Sequence, residues 1–321
     1  MNLRIEEKLP GTSLHKRRFL WITGFVTVLL ILSGILGVSG YVGWNLTHPV
    51  HVALDADPSS VGLAFENVVF PSRLDGLHMK GWLIPAAGSD KTVIFAHGYR
   101  KNRLNSNIPI LAIAQYLNGK GYNILMFDFR NSGESEGNLT SVGQYEVRDL
   151  LGAVDFIKAR PQISQEVILY GFSMGAATAI LAGAREPVVN AIIADSPFAD
   201  LSSYLNNNLS VWSGLPSFPF NRAFFLVVPP LTGLKPDTVS PINEINQLNG
   251  RPLLLIHGEE DIDVPIENSE MLKKAYPQAQ FLRVQGGTHV QNYAAQPQLY
   301  LSTVMAFLNQ IQSPANKPRD S

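Results

Sequence analysis

The sequence predicts an α/β protein: a mostly parallel, eight-stranded sheet with helices on both faces, preceded by one apolar N-terminal helix. Three observations predict it. From Leu63 onward, short apolar runs of strand type alternate with helix-like stretches, the pattern of a parallel sheet covered on both sides. The run from Phe19 to Trp44 holds no charged residue, and about 20 apolar residues suffice to cross a hydrocarbon core. Finally, Gly171-Phe172-Ser173-Met174-Gly175 places a serine between two glycines where a strand gives way to a helix.

The elements follow in order. Residues 1–18 end in Lys16-Arg17-Arg18, and the positive-inside bias keeps that end cytoplasmic. Residues 19–44 form the transmembrane helix, with Trp21, Tyr41 and Trp44 near its ends, where amphipathic rings prefer the interface. The rest of the chain then lies outside the cytoplasm. A cleaved signal peptide with Val38-Ser39-Gly40 as its small-residue site, giving a secreted product, is the alternative. The apolar run exceeds the usual h-region of about 7–15 residues and favours a retained anchor.

Residues 45–60, containing Pro and Asp, read as a stalk. The folded domain covers residues 61–312, and 313–321 form a polar tail. Leu63–Val69 and Leu77–Leu83 alternate like the two strands of a hairpin. Further strands are expected at Thr92–Ala96, Tyr122–Asp128, Val167–Tyr170, Ala191–Asp195, Pro252–Ile256 and Gln280–Val284. Helices are expected near Ile108–Leu117, Val142–Lys158, Met174–Ala184, Asn268–Ala275 and Leu299–Ile311. Between Asp195 and Arg251 the alternation breaks, in a segment rich in Trp, Phe and Pro.

Composition excludes several classes. The net charge is −1 and no basic stripe recurs, which argues against a nucleic-acid partner. There is no cysteine, so disulfides, thiolate metal sites and a cysteine nucleophile are excluded. No His-Glu-x-x-His or similar metal-ligand spacing occurs, and neither metal nor cofactor is expected.

A nucleophilic serine needs a base to take its proton and a carboxylate to orient that base. The strand-type run Arg251–Ile256 leads into His257-Gly258-Glu259-Glu260-Asp261-Ile262-Asp263-Val264-Pro265, a loop dense in carboxylates. The next strand, Gln280–Val284, leads to His289. Of seven histidines, only His289 follows the acid loop, giving the chain order Ser173, acid, His289. Asp261 and Asp263 both remain candidates for the acid on position alone. His97 and His257, which close earlier strands, read as structural.

With these motifs together, the chain resembles the α/β-hydrolase superfamily, and within it the membrane-anchored, esterase-like members near the serine aminopeptidase and monoglyceride-lipase group. The resemblance also rests on Phe95-Ala96-His97-Gly98-Tyr99, on Asp128-Phe129-Arg130-Asn131-Ser132-Gly133-Glu134-Ser135, and on Asp195-Ser196-Pro197-Phe198. Asn131 stands where such proteins usually carry a glycine.

The resemblance implies Ser173 as nucleophile, His289 as base and Asp261 as acid, the last through the pattern His-Gly-x-x-Asp-x-x-Val-Pro. It implies an oxyanion hole made by the backbone N–H groups of Tyr99 and Met174, the latter at a helix N-terminus. It also implies a cap at about residues 199–250, after the sixth strand. Trp212, Phe218, Phe220, Phe224 and Phe225 in that cap are expected either to line an acyl pocket or to form the cap's own core. The implied activity is hydrolysis of a small-molecule acyl ester through an acyl-enzyme. Peptidase, thioesterase and acyltransferase chemistry use the same triad, and a non-catalytic binding protein can share the scaffold.

Overall fold

The computed structural model describes residues 12–105 and 108–311, so residues 1–11 of the expected cytoplasmic end and the tail at 313–321 lie outside it. Eight strands form one sheet in the order β1 (Glu66–Pro71), β2 (His78–Ile84), β4 (Asn123–Phe127), β3 (Lys91–Ala96), β5 (Glu166–Phe172), β6 (Val189–Asp195), β7 (Leu253–Gly258) and β8 (Gln280–Val284). β2 runs antiparallel to both β1 and β4, and the remaining neighbours pair in parallel. β4 and β5 are buried along their whole length, which is why residues 124–127 and 167–170 read as unbroken apolar runs. β1, at the edge, alternates exposed and buried residues instead.

Helices cover both faces. α3 (Glu146–Lys158), α4 (Met174–Arg185) and α8 (Glu267–Ala275) pack on one side, where Val147, Leu150, Val154, Ile180 and Leu272 join Leu169 and Leu255. α2 (Ile110–Gly119) and α10 (Pro297–Leu308) cover the other, where Ile113, Leu117, Val304 and Phe307 meet Ile168 and Ile256. A short α9 (Asn292–Ala295) precedes α10. The expected helix from Val142 starts later, at Glu146, because Val142 and Gly143 hold φ of 53° and 110°. The Glu146 carboxylate accepts hydrogen bonds from the N–H groups of Ser141 and Gly143, both at 2.7 Å, and so folds that loop onto the helix start.

Between β6 and β7 lie α5 (Leu201–Ser213), α6 (Ser217–Thr232) and α7 (Pro241–Glu244). Asp200 caps α5 by accepting from the Ser203 N–H at 2.8 Å, and Gly214, with φ 67°, ends it.

The N-terminal helix α1 (Thr12–Thr47) has 36 residues, about 54 Å at 1.5 Å per residue. It is long and apolar enough to cross a membrane. From Leu14 to Gly34 its described side chains are exposed all round, whereas Ser39, Gly40, Gly43 and Thr47 form a buried stripe near its end. That stripe packs on α6 so closely that a Cβ on Gly43 would lie 2.0 Å from Val228 Cγ2.

The reading of residues 45–60 as a stalk needs correction. Asn45–Thr47 belong to α1, and the following segment lies against the domain. Asn102 Nδ2 donates to the carbonyls of Val52 (3.1 Å) and Ala53 (3.0 Å). His51 is hydrogen-bonded to the Asn131 side chain (3.0 Å) and the Gly133 carbonyl (3.1 Å). Asn131 holds φ 53°, a left-handed conformation that asparagine tolerates, so the departure from glycine keeps the loop and adds a contact.

Candidate active site

Ser173 stands between the end of β5 and the start of α4 with φ 54° and ψ −118°, a conformation that costs on the order of 1–3 kcal/mol for a non-glycine residue. The turn is held from both sides. The Ser173 N–H donates to the Asp195 carbonyl at 2.8 Å, and the Ser173 carbonyl accepts from Ala176 (2.9 Å) and Ala177 (3.1 Å). The flanking glycines are required sterically: a Cβ on Gly171 would lie 2.1 Å from the Gly175 carbonyl oxygen, and one on Gly175 2.1 Å from that of Ala96. The second distance also shows how closely the start of α4 passes the end of β3.

The three residues expected to act together are adjacent. His289, in the loop after β8, has Nε2 2.8 Å from Ser173 Oγ and Nδ1 2.8 Å from Asp261 Oδ2. With the Nδ1 proton donated to the carboxylate, Nε2 is left to accept from the serine hydroxyl. Asp261 lies in the loop after β7 and is 5% exposed. Its Oδ1 accepts from the N–H groups of Asp263 (3.1 Å) and Val264 (2.8 Å). Asp263 thus enters through its backbone, and its carbonyl also accepts from Tyr204 Oη at 2.8 Å.

His257 is fully buried between Ser269 Oγ (2.7 Å from Nδ1) and the Val264 carbonyl (2.8 Å from Nε2). Its Nε2 also lies 3.3 Å from Asp261 Oδ2. Burial by itself would raise the Asp261 carboxyl, but the hydrogen bonds from His257 and His289, the His289 charge and the Val264 N–H outweigh it and hold the group down at about 2. Asp261 is therefore a carboxylate at neutral pH.

The loop after β3 supplies the opposite wall. His97 donates from Nδ1 to the Gly98 carbonyl (2.8 Å) and accepts the Phe129 N–H at Nε2 (3.0 Å). Burial lowers its pKa, consistent with a neutral ring that shapes the loop. Tyr99 and Met174 both border the cavity beside Ser173. Met174 provides the first amide of α4, which has no intrahelical acceptor. The Tyr99 hydroxyl, raised by burial to about 12, is a neutral donor to the Leu46 carbonyl at 2.5 Å.

The cavity in front of Ser173 is narrow, about 60 Å³ in volume, and partly open to solvent. Its wall is almost wholly apolar, including Leu46, Leu205, Leu209, Phe224, Leu234 and Val264. Of the five cap aromatics, Trp212 and Phe224 line it. Trp212 meets Tyr99 edge-on with ring centroids 5.6 Å apart, and its indole N–H donates to the Tyr204 hydroxyl. Phe218 is 76% exposed, Phe225 packs edge-on to Phe224 at 5.7 Å, and Phe220 is half-buried outside the lining. Pocket wall and cap core, offered as alternatives by the sequence, are divided among these residues.

Some of the site's supports escaped sequence reasoning. Asp195, at the end of β6, accepts from Asn292 Nδ2 (2.7 Å), Ser196 Oγ (3.0 Å) and Tyr300 Oη (2.8 Å), and Tyr300 in turn accepts from Tyr170 Oη. Burial raises the Asp195 pKa against those hydrogen bonds. The network ties the His289 loop to the strand that holds Ser173, since the Val290 N–H also reaches Ser196 Oγ at 3.4 Å. The Asp195-Ser196 pair was visible as a motif, but nothing local pointed to Asn292 or Tyr300, about a hundred residues downstream.

Comparison with known proteins agrees with this architecture. Residues 87–240 match the family described as serine aminopeptidase, S33, and residues 232–319 match that described as TAP-like protein. An uncharacterized protein of Bacillus subtilis (strain 168), YqkD, is 34% identical over 247 residues, which are 75% of this chain and 78% of the relative. Among solved structures, a Pyrococcus furiosus esterase is 28% identical with a TM-score of 0.71, covering 83% of this chain and 98% of the esterase. Pyrococcus horikoshii acylaminoacyl peptidase shares the fold at 21% identity and a TM-score of 0.60, over 82% of this chain and 44% of the peptidase. By its sheet order, its strained serine turn and these similarities, the chain belongs to the α/β-hydrolase superfamily.

Proposed function

We propose that this protein is a serine hydrolase that cleaves carboxylic esters through an acyl-enzyme and is held to the membrane by α1. The observation that carries the reading is the continuous chain Ser173 Oγ–His289 Nε2 and His289 Nδ1–Asp261 Oδ2, each link 2.8 Å, at the mouth of an apolar cavity.

In the proposed mechanism, Ser173 Oγ attacks the ester carbonyl while His289 Nε2 takes its proton. The Asp261 carboxylate stabilises the imidazolium that results. The amides of Tyr99 and Met174 receive the developing oxyanion, and loss of one such donor typically costs about 100- to 1000-fold in rate. His289 then returns its proton to the leaving alcohol, the tetrahedral centre collapses to an acyl-Ser173 ester, and water activated by His289 releases the acid. The uncharged wall formed by Leu205, Leu209, Trp212 and Phe224 suits an aliphatic or aryl acyl group better than a charged peptide side chain. The similar Pyrococcus furiosus esterase supports ester cleavage as the reaction.

For location, the reading places α1 across the membrane, with Lys16-Arg17-Arg18 at the cytoplasmic side and the hydrolase domain outside. Labelling with a small fluorophosphonate tests the chemistry. The full chain should be labelled and should hydrolyse p-nitrophenyl esters, and Ser173→Ala should lose both while keeping its melting temperature. Hydrolysis that persists in Ser173→Ala would reject the mechanism.

A further inference from the structure

We propose that α1 is a wall of the acyl site, and that Leu46 at its end sets which acyl lengths the cavity accepts. The proposal rests on the ester-hydrolase reading and extends the site to a helix outside the hydrolase domain.

Three observations carry it. Leu46 and Thr47 line the same cavity as Ser173 and Met174, although 126 residues separate Thr47 from Ser173 in the chain. The end of α1 is also fastened there. The last four carbonyls of a helix lack intrahelical partners, and here the hydrolase domain provides three of them. Leu46 O accepts from Tyr99 Oη at 2.5 Å, Thr47 O from the Thr140 N–H at 2.8 Å, and Asn45 O from Arg100 Nη2 at 3.4 Å. A frayed helix end could not define a pocket, and this one is held by groups beside the site.

The third observation is that α1 and the cap form one packed unit at this level. Gly43, one turn before Leu46 and Thr47, abuts Val228 of α6, and Phe224, one turn earlier on α6, lines the cavity. Leu46 itself is half-buried and packs against the same core as Trp212 and Tyr99. An acyl chain leaving Ser173 therefore runs between the cap and the last turn of α1, with the Leu46 side chain across its path.

Full-length protein in detergent micelles tests this with p-nitrophenyl acetate, butyrate and octanoate. Leu46→Ala should raise the octanoate-to-acetate ratio of kcat/KM by about tenfold, and Leu46→Trp should lower it by about tenfold, the scale of a methylene or two in an apolar pocket. Leu46→Ile, of equal volume, should leave the ratio within about twofold. Fluorophosphonate labelling of Ser173 should persist in all three. If Leu46→Trp fails to fold, the alanine and isoleucine variants still decide. An unchanged ratio in Leu46→Ala overturns the proposal, as does an equal loss on every ester with a lower melting temperature, which marks a purely structural residue. Failure of the unsubstituted chain to label at Ser173 is a different result: it removes the hydrolase reading itself.

Discussion

On the proposed mechanism, replacing Asp261 by asparagine should abolish ester hydrolysis through a change of tautomer. Asp261 Oδ1 faces two backbone donors, the N–H groups of Asp263 and Val264, so an asparagine must keep its carbonyl oxygen on that side. Its amide NH₂ then points at His289 Nδ1, where a carboxylate oxygen now sits 2.8 Å away. Facing a donor, Nδ1 must become the acceptor, which moves the ring proton to Nε2. That nitrogen can no longer take the Ser173 proton. Such a tautomer error costs about 10⁴-fold in kcat, or about 5.5 kcal/mol. The shape of the residue is unchanged, so the variant should fold. Asp263→Asn, by contrast, alters a side chain whose backbone alone serves the site, and should stay within about threefold of the parent. Initial rates on p-nitrophenyl butyrate, with labelling kinetics as a check on the serine, make the comparison. If Asp261→Asn retains a tenth of the activity, or Asp263→Asn is the inactive protein, the tautomer argument fails.

Three further outcomes are expected. The folded-state value of Asp261, about 2, lies below its ordinary 3.8, so its ionised form stabilises the fold above about pH 4 by roughly 2 kcal/mol, a contribution lost as the pH falls towards 2; melting curves across that window should fall more steeply for the parent than for Asp261→Asn. Trp212→Ala and Phe224→Ala should each shift the octanoate-to-acetate preference by about tenfold while Phe218→Ala, at the exposed position, leaves it unaltered, and a uniform loss from all three would assign the aromatics to cap packing alone. In right-side-out vesicles, added protease should digest the hydrolase domain, and the full chain should resist extraction by carbonate; a soluble product beginning near Tyr41 would instead identify α1 as a cleaved signal.

The sequence displayed the sheet well because burial on both faces leaves a plain mark. Beyond Asn123 and Glu166 at their starts, β4 and β5 are runs of apolar residues, and β5 leads straight into the Gly-x-Ser-x-Gly turn. The proximity of Ser173, Asp261 and His289 was legible for a related reason: each follows a parallel strand, and parallel strands bring their carboxyl ends to one edge. Boundaries were less legible. Val142 and Gly143 adjoin a helix-like run and read as part of it, but Glu146 pulls that loop onto the start of α3 through contacts that no periodicity records. The division of the cap aromatics was hidden as well, because Phe218 and Phe224 are chemically alike and only the packing of α6 separates them. The largest omission was the end of α1. Its partners, Tyr99, Arg100 and Thr140, lie 53 to 93 residues away, and a helix that reads as an anchor gives no local sign of a second task.

The clasp on the last turn of α1 also governs orientation. A domain on a flexible tether samples many tilts and heights above a bilayer, and its active-site mouth meets the surface only for part of the time. Here the carbonyls of Asn45, Leu46 and Thr47 and the Gly43–Val228 contact fasten the helix end to the domain at several points rather than through a single tether. On the proposed reading, a helix seated across the membrane would set the compass heading of the whole hydrolase. The cavity that Leu46 and Ser173 share would then be kept at a fixed depth, close to where lipid headgroups begin.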